Sequence, residues 1–352
     1  MQRALILGGA LLIFATPVFI LGLNSIRSDN RDTTTFLKEY LAANPAGREE
    51  IALTYLDFVD ATELLDALEQ NDPICHTDAH TLGAVIFRKT QNLSQANAVC
   101  EKKCSYGCFH GALYEMFFHS PGHANEHFGI NLDAATSSAD MLRIIVESAP
   151  TFCNRPEISQ STIPWSCIHG IGHAVMYGSE YEVGSAIRAC EVFKYLQKIH
   201  VCLSGAFMEY MSNPAAAEAG GKNLYPCDLY PTYEKICYRF KGRHMIHAWG
   251  SIQDALQACQ AIEVDASRLA CIKGIASWAD SPVERLRKPD GYADICGALT
   301  VEEQDACIEG ALSSVVFNMD VGEIGICATF DPVFQQQCLN AFKAYKSLNF
   351  SL

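Results

Sequence analysis

Histidine is the residue type in this sequence whose spacing points to chemistry. All eleven histidines of the 352-residue chain lie between His76 and His247, and the last hundred residues contain none. Among them, His76 with His80 and His169 with His173 are spaced four residues apart. On a helix this spacing places both imidazoles on one face, which is a common way to present two nitrogen ligands to a metal ion. The spacing therefore predicts a metal site.

The histidines also recur in a repeated stretch of sequence. His110 and His169 each lie two residues after a cysteine and directly before a glycine, and His80 matches this register without the cysteine. Equivalent helices that pack side by side, about 8–10 Å apart, can direct such side chains at one ion. We therefore predict a transition-metal cofactor, which could be zinc, copper or iron. The predicted ligands are His76, His80, His110, His169 and His173.

A carboxylate accompanies the second of these histidines. Glu115 follows His110 by five residues, close to the distance at which His173 follows His169. A glutamate there can act as a ligand or as a general base. We therefore predict a catalytic role for Glu115.

Two other interpretations of the histidine register remain open. In the later repeats the same register holds Ser204, Arg239, Lys273, Glu309 and Asn340, so it could be a polar row at the start of each helix. A pH-sensing or haem-contact role is the other alternative. His119, His123 and His127 lie in residues 118–133, where Ser-Pro-Gly and Phe-Gly-Ile indicate a loop, and this loop is a candidate lid over the site.

The cysteine spacing indicates which elements position these histidines. From Cys153 onward the cysteines alternate between short and long gaps, and the second member of each short gap recurs every 31 to 36 residues. This period is typical of helix-pair repeats. The predicted fold is all-α: a disulfide-stapled array of αα-hairpins, either an α-solenoid or a closed α/α toroid. The predicted hairpin bridges are Cys153–Cys167, Cys190–Cys202, Cys227–Cys237, Cys259–Cys271, Cys296–Cys307 and Cys327–Cys338.

The first four cysteines fall outside this alternation, and their natural pairing is Cys75 with Cys104 and Cys100 with Cys108. Five of the repeats also carry a glycine near the start of their second helix, three residues after the cysteine. Glycine disfavours a helix by about 1 kcal/mol unless a neighbour gains from the missing side chain, which predicts close helix packing. These glycines are Gly111, Gly170, Gly205, Gly274 and Gly310.

Composition restricts the class of protein. Apolar residues make up 49% of the chain and charged residues 19%, which is typical of a chain with a large core. The net charge of −14, without a basic cluster, argues against nucleic-acid binding. Sixteen cysteines indicate disulfides and an oxidising compartment, so the main domain is expected to be extracytoplasmic: periplasmic, extracellular or lumenal.

The amino terminus suggests a membrane attachment. Residues 4–23 carry no charge and are long enough to span a bilayer, which favours an uncleaved signal anchor over a cleaved signal peptide. The predicted organisation is a transmembrane helix over 1–27, a juxtamembrane linker and first helix over 28–52, and the repeat domain over 53–352.

Two functions are compatible with these observations. The first is an exported, membrane-anchored metalloprotein with a histidine-rich site in its early repeats, with metal-dependent catalysis as one form of it. The alternative is a non-enzymatic scaffold that binds a peptide or protein on the concave face of the array. The ligand or substrate stays open in both cases.

Overall fold

Every regular element in the described part of the chain is helical. The computed structural model describes residues 32–71, 75–160, 162, 164–213, 224–279, 282–318 and 321–350, and it contains no strand within them. The all-α prediction is confirmed. The predicted anchor over residues 1–27 lies outside the described residues. Among the helices that are described, none is both long and apolar enough to cross a bilayer.

The α-helices are numbered here in chain order, and three short 3-10 segments accompany them at 132–134, 227–229 and 321–329. The helices are α1 (Thr33–Ala42), α2 (Pro45–Tyr55), α3 (Ala61–Asn71), α4 (His76–Thr90), α5 (Leu93–Cys100), α6 (Gly107–His119), α7 (Pro121–Phe128), α8 (Ser138–Phe152), α9 (Pro156–Ser159), α10 (Pro164–Gly178), α11 (Val183–Cys190), α12 (Leu196–Ser212), α13 (Glu234–Trp249), α14 (Ile252–Gln260), α15 (Asp265–Ala276), α16 (Pro282–Leu286), α17 (Ala293–Cys296), α18 (Val301–Asn318) and α19 (Pro332–Phe350).

The longer helices form a row of neighbours, which we call the inner helices: α4, α6, α10, α12, α13, α15, α18 and α19. Each contacts the next in this order, and α19 also contacts α10. Shorter outer helices pack against them, such as α5 on α6, α11 on α12 and α14 on α15. The structure is thus an array of helix pairs whose inner helices line a common interior.

Disulfides join the two layers at each repeat. All sixteen cysteines are paired, and every pairing predicted from the spacing is found. A typical bridge joins the end of an outer helix to the first turns of the next inner helix, as Cys190 of α11 does with Cys202 of α12. On the chain-entropy model, closing a loop of this length stabilises the fold by about 3 kcal/mol. The bridges are Cys75–Cys104, Cys100–Cys108, Cys153–Cys167, Cys190–Cys202, Cys227–Cys237, Cys259–Cys271, Cys296–Cys307 and Cys327–Cys338.

The repeated glycines let inner helices touch through their backbones. A Cβ atom on Gly111 of α6 would collide with the carbonyl oxygen of His80 on α4. Likewise, a Cβ on Gly205 of α12 would collide with the carbonyl oxygen of His169 on α10. The packing explanation for these glycines is confirmed, and their close approach brings the histidine-bearing turns together.

The amino-terminal repeat differs from its prediction. The apolar spacing over residues 53–69 predicts a single helix, but α2 ends at Tyr55 and α3 begins at Ala61. Asp60 explains the new start, because its side chain accepts a hydrogen bond of 2.8 Å from the Thr62 amide. The segment 28–52, predicted as a linker and first helix, contains α1 and most of α2, and Phe36 of α1 is fully buried.

The loop predicted over residues 118–133 is wrong in part. Pro121 begins α7, a helix of eight residues, and Gly129 ends it with a left-handed backbone, φ +70°. This segment follows the end of α6 opposite to His110, about 13 Å away along the helix axis. His123 packs on the ring of Phe87 with 5.3 Å between ring centroids. The segment is therefore remote from the predicted metal site.

Candidate metal centre

Five histidines from three inner helices converge in the core. His76 and His80 come from α4, His110 from α6, and His169 and His173 from α10. Four of them, all except His169, each offer one ring nitrogen within 4.8 Å of the nitrogens of the others. All five are buried, and the most exposed, His80, shows 8% of its surface. The histidines that the repeat register predicts as neighbours are thus brought together, while their role as ligands stays a prediction.

The outward-facing nitrogens of the cluster donate to protein acceptors. His76 Nδ1 donates to the Ser105 carbonyl over 3.1 Å, and His110 Nε2 donates to the Ser166 carbonyl over 3.0 Å. A carbonyl can only accept, so these bonds place the single proton of each neutral imidazole on its outer nitrogen. Acceptors of this kind orient the histidine ligands of metal sites.

The two histidines on α10 follow the same rule. His169 Nδ1 lies 2.7 Å from Ser204 Oγ, which donates its own proton to the Val201 carbonyl and therefore accepts from the ring. His173 Nδ1 lies 2.9 Å from the Glu209 carboxylate. In both rings the proton is thereby held on Nδ1, and Nε2 is left as a bare acceptor.

The inner nitrogens therefore face one another without a proton between them. His110 Nδ1 lies 3.3 Å from His76 Nε2, and His173 Nε2 lies 3.1 Å from His169 Nε2. Two lone pairs at this distance repel unless a cation lies between them. Nitrogens bound to one tetrahedral ion at about 2.0–2.1 Å lie about 3.3 Å apart, which is close to the separations found here.

His80 supplies a further sign of a missing partner. Its Nε2 is buried and has no hydrogen-bond partner among the described residues. Its Nδ1 lies 3.7 Å from the Glu209 carboxylate, and its ring centroid lies 4.7 Å from that of His173. A buried polar atom without a partner is costly, and a bound cation would remove that cost.

Burial keeps the cluster in the form that binds metals. Desolvation lowers the pKa values of all five histidines, and it lowers the pKa of His80 to about 3. The imidazoles are therefore neutral at physiological pH. Neutral imidazole is the state that coordinates zinc, copper and iron.

Glu209 is the site residue that the sequence reasoning missed. Besides the two histidines, its carboxylate accepts a hydrogen bond of 3.1 Å from the Tyr181 hydroxyl. Burial raises the pKa of Glu209. The available signal was its position, because Glu209 follows Ser204 by five residues, as Glu115 follows His110.

Glu115 lies elsewhere. Its side chain is buried, and its carboxylate lies 3.0 Å from Arg88 Nε in an ion pair. The charged groups that act on its pKa are Arg88, His119 and Glu49, and none of them belongs to the cluster. The carboxylate in contact with the histidines is therefore that of Glu209.

A cavity that is partly open to solvent adjoins the cluster. It has a volume of about 1440 Å³ and is lined by α10, α12, α13, α15, α18 and α19, with His76 of α4 at one end. Trp165 lines the same end and stacks on His169 with 5.6 Å between ring centroids and 10° between planes. Phe240 lines the cavity as well and packs 6.4 Å from the His169 ring. One wall of the cavity thus belongs to the histidine cluster.

The chain matches no protein-family model, no curated protein and no solved structure. Its function is therefore argued from the geometry of the cluster and the cavity.

Proposed function

We propose that this protein is a metalloprotein that binds a transition-metal ion at His76, His80, His110 and His173, with His169 as an additional nitrogen donor. The observation that carries the proposal is a set of short distances between ring nitrogens. One nitrogen from each of His76, His80, His110 and His173 lies within 4.8 Å of the other three. The outer nitrogens of His76, His110 and His173 are held by acceptors, which leaves their inner nitrogens free to bind an ion. An all-nitrogen donor set suits zinc, copper or iron.

We also propose that the ion acts on a molecule held in the cavity, which makes the protein a metal-dependent enzyme. His76 supports this because it belongs both to the cluster and to the cavity wall. A bound ion supplies Lewis-acid or redox chemistry at this wall. Glu209 orients His173 and faces His80, so its role is to position ligands.

The scaffold alternative is less well supported by the interior. Because α19 contacts α10, the inner helices turn back on themselves, which favours a closed toroid over an open solenoid. The cavity that they line is partly open to solvent, because Leu196 on its wall is 61% exposed, so a molecule can enter it from outside. A cavity of about 1440 Å³ suits a small molecule or a short peptide.

Elemental analysis of protein purified without a polyhistidine tag tests the metal proposal. After equilibration with zinc, copper or iron salts and removal of free metal, we expect about one ion per chain for one of the three. The His173→Ala variant should lose the ion, because it removes one of the four convergent nitrogens, and should keep its helical content by circular dichroism.

The matched control is His200→Ala. His200 also lies on an inner helix and lines the cavity, but it packs on Tyr233 and lies outside the cluster, so the metal content should not change. Folded wild-type protein without bound metal after all three treatments would overturn the proposal. Full occupancy in the His173→Ala variant would show that the ion binds elsewhere.

A further inference from the structure

The cavity beyond the histidine cluster has its own chemical character. The register that places His80, His110 and His169 in the cluster continues along the later inner helices, and there its residues line the cavity instead. We call these residues the cavity row. They are Ser204, Arg239, Lys273, Glu309 and Asn340. The polar row and the histidine site are thus two parts of one register.

Two charges of the cavity row neutralise each other. Lys273 Nζ lies 2.6 Å from the Glu309 carboxylate, so this pair presents no net charge to the cavity. Arg239 is the neighbouring member of the row, on α13. Its guanidinium makes no hydrogen bond or ion pair with the described residues, although it lines the cavity.

Arg239 presents its charge to the cavity. Its side chain is exposed and lines the cavity, and desolvation by the groups around it lowers the pKa of Arg239, opposed by the Glu309 charge. A guanidinium remains charged at any physiological pH and offers a planar set of donors that matches an anion with two oxygens. An anion that enters the cavity can therefore pair with this guanidinium.

Aromatic side chains lie between Arg239 and the histidines. Phe240 is the next residue on α13, and Trp165 lines the end of the cavity where His76 is found. Both rings contact His169, one at 6.4 Å and the other at 5.6 Å between centroids. An apolar body that is anchored at Arg239 can therefore extend along aromatic surface to the cluster.

We propose that the cavity binds a small organic carboxylate, with the carboxylate on the Arg239 guanidinium and the apolar body against Phe240 and Trp165. Its identification as the enzyme's substrate rests on the metal centre proposed above, whereas the binding of the anion at Arg239 does not require the ion. The two proposals can therefore fail separately.

The test compares three probes of similar shape: 3-phenylpropanoate, its neutral amide 3-phenylpropanamide, and phenyl phosphate. Trp165 and Trp278 line the cavity, so tryptophan fluorescence of the full chain reports occupancy. We expect saturable binding of 3-phenylpropanoate. The amide should bind at least about tenfold more weakly, because it cannot pair with the guanidinium as an anion.

The Arg239→Gln variant should bind acid and amide equally, and the Arg239→Lys variant should keep a reduced preference for the acid. The control Arg188→Gln removes an exposed arginine from outer helix α11, where it pairs with Glu182, and should bind like the wild type. Circular dichroism checks that each variant folds. If Arg239→Gln does not fold, the comparison of acid and amide on the wild type decides.

Equal affinity of the wild type for acid and amide would overturn the proposal, as would an undiminished preference in folded Arg239→Gln or the absence of saturable binding by all three probes. Tighter binding of phenyl phosphate than of 3-phenylpropanoate would overturn the carboxylate assignment. Metal content is measured on the same samples. Binding at Arg239 in protein that takes up no metal supports the anion site and contradicts only the metal centre.

Discussion

At the scale of single residues, the position of protons is what separates this cluster from an ordinary group of buried histidines. A satisfied pair of histidines shares a proton, with one ring donating to the other. Here the Ser105 and Ser166 carbonyls hold the protons of His76 and His110 on the outside, and the inner nitrogens meet 3.3 Å apart as two acceptors. The surrounding protein has thus fixed the tautomers that a metal ion requires.

Glu209 is expected to control metal affinity through His173 and His80. Replacing Glu209 by Gln preserves its volume and removes the negative charge that makes the imidazoles better ligands. We predict that Glu209→Gln weakens metal binding by about 10–100-fold and leaves the number of ions per chain unchanged. Competition with a chelating dye measures the affinity.

The matched control is Glu115→Gln. Glu115 follows His110 by five residues, as Glu209 follows Ser204. However, Glu115 pairs with Arg88 and does not contact the cluster. Its replacement should leave metal affinity unaltered. If Glu115→Gln weakened binding and Glu209→Gln did not, the carboxylate role predicted from the sequence would return to Glu115.

At the scale of helices, the site depends on how closely neighbouring inner helices approach. His80 and His110 lie on different helices, and the glycine contact between α4 and α6 occurs at His80 itself, where Gly111 meets its carbonyl. Any residue larger than glycine pushes these helices apart. The absence of a side chain at Gly111 thus allows His80 and His110 to lie close together.

We predict that Gly111→Ala lowers both stability and metal affinity. Overpacking of a close contact costs about 1–3 kcal/mol, and the shift of α4 against α6 separates His80 from His110. Thermal unfolding and metal competition measure the two effects.

Gly122→Ala is the control. Gly122 is exposed on α7, and a Cβ atom added there would meet no packing neighbour within 4 Å. There alanine should be neutral or stabilising, by up to about 1 kcal/mol. Unchanged metal affinity in a Gly111→Ala variant of reduced stability would show that the helix spacing does not tune the site.

The helices that could be predicted from the sequence are those whose contacts join residues close together in the chain, because such contacts produce a regular residue spacing. Every cysteine pair except Cys75–Cys104 lies within 14 residues, and each repeated glycine lies three residues after the cysteine of its own repeat, so both are visible as spacing. The register of His80, His110 and His169 follows from the same repeat.

Other features depend on contacts that no spacing records. The contact of Glu209 with His173 joins residues 36 apart on α12 and α10, and it depends on how these two helices pack. Helix α7 was missed because Pro121 and Gly129 are turn residues in isolation, yet they occupy the first position and the end of a helix here. The cavity could not be predicted because its walls come from helices far apart in the chain, including α10 and α19, whose contact no spacing records.

At the scale of the whole molecule, the same repeat register places histidines of the cluster on the early inner helices and cavity-lining residues on the later ones. On α4, α6 and α10 the inner side chains meet and form the histidine cluster, whereas from α12 onward the inner helices enclose a cavity. The histidine cluster and the cavity therefore adjoin each other along the row of inner helices, and the disulfides join inner helices to outer ones.

The eight disulfides also bear on where the molecule functions. All sixteen cysteines are paired, and disulfides in this number persist in an oxidising, extracytoplasmic environment. We propose that the uncharged segment 4–23 leads the chain across the membrane and stays as its anchor.

A reporter that is active only in the cytoplasm, fused after Leu352, tests this topology. We expect no reporter activity, and we expect activity when the segment 4–23 is deleted, because the fusion then has no signal for export. Non-reducing gels should show the intact fusion with its disulfides formed and the deleted one with free thiols. Strong activity of the intact fusion would place the repeat domain in the cytoplasm, where thiols are kept reduced and the eight bridges could not persist.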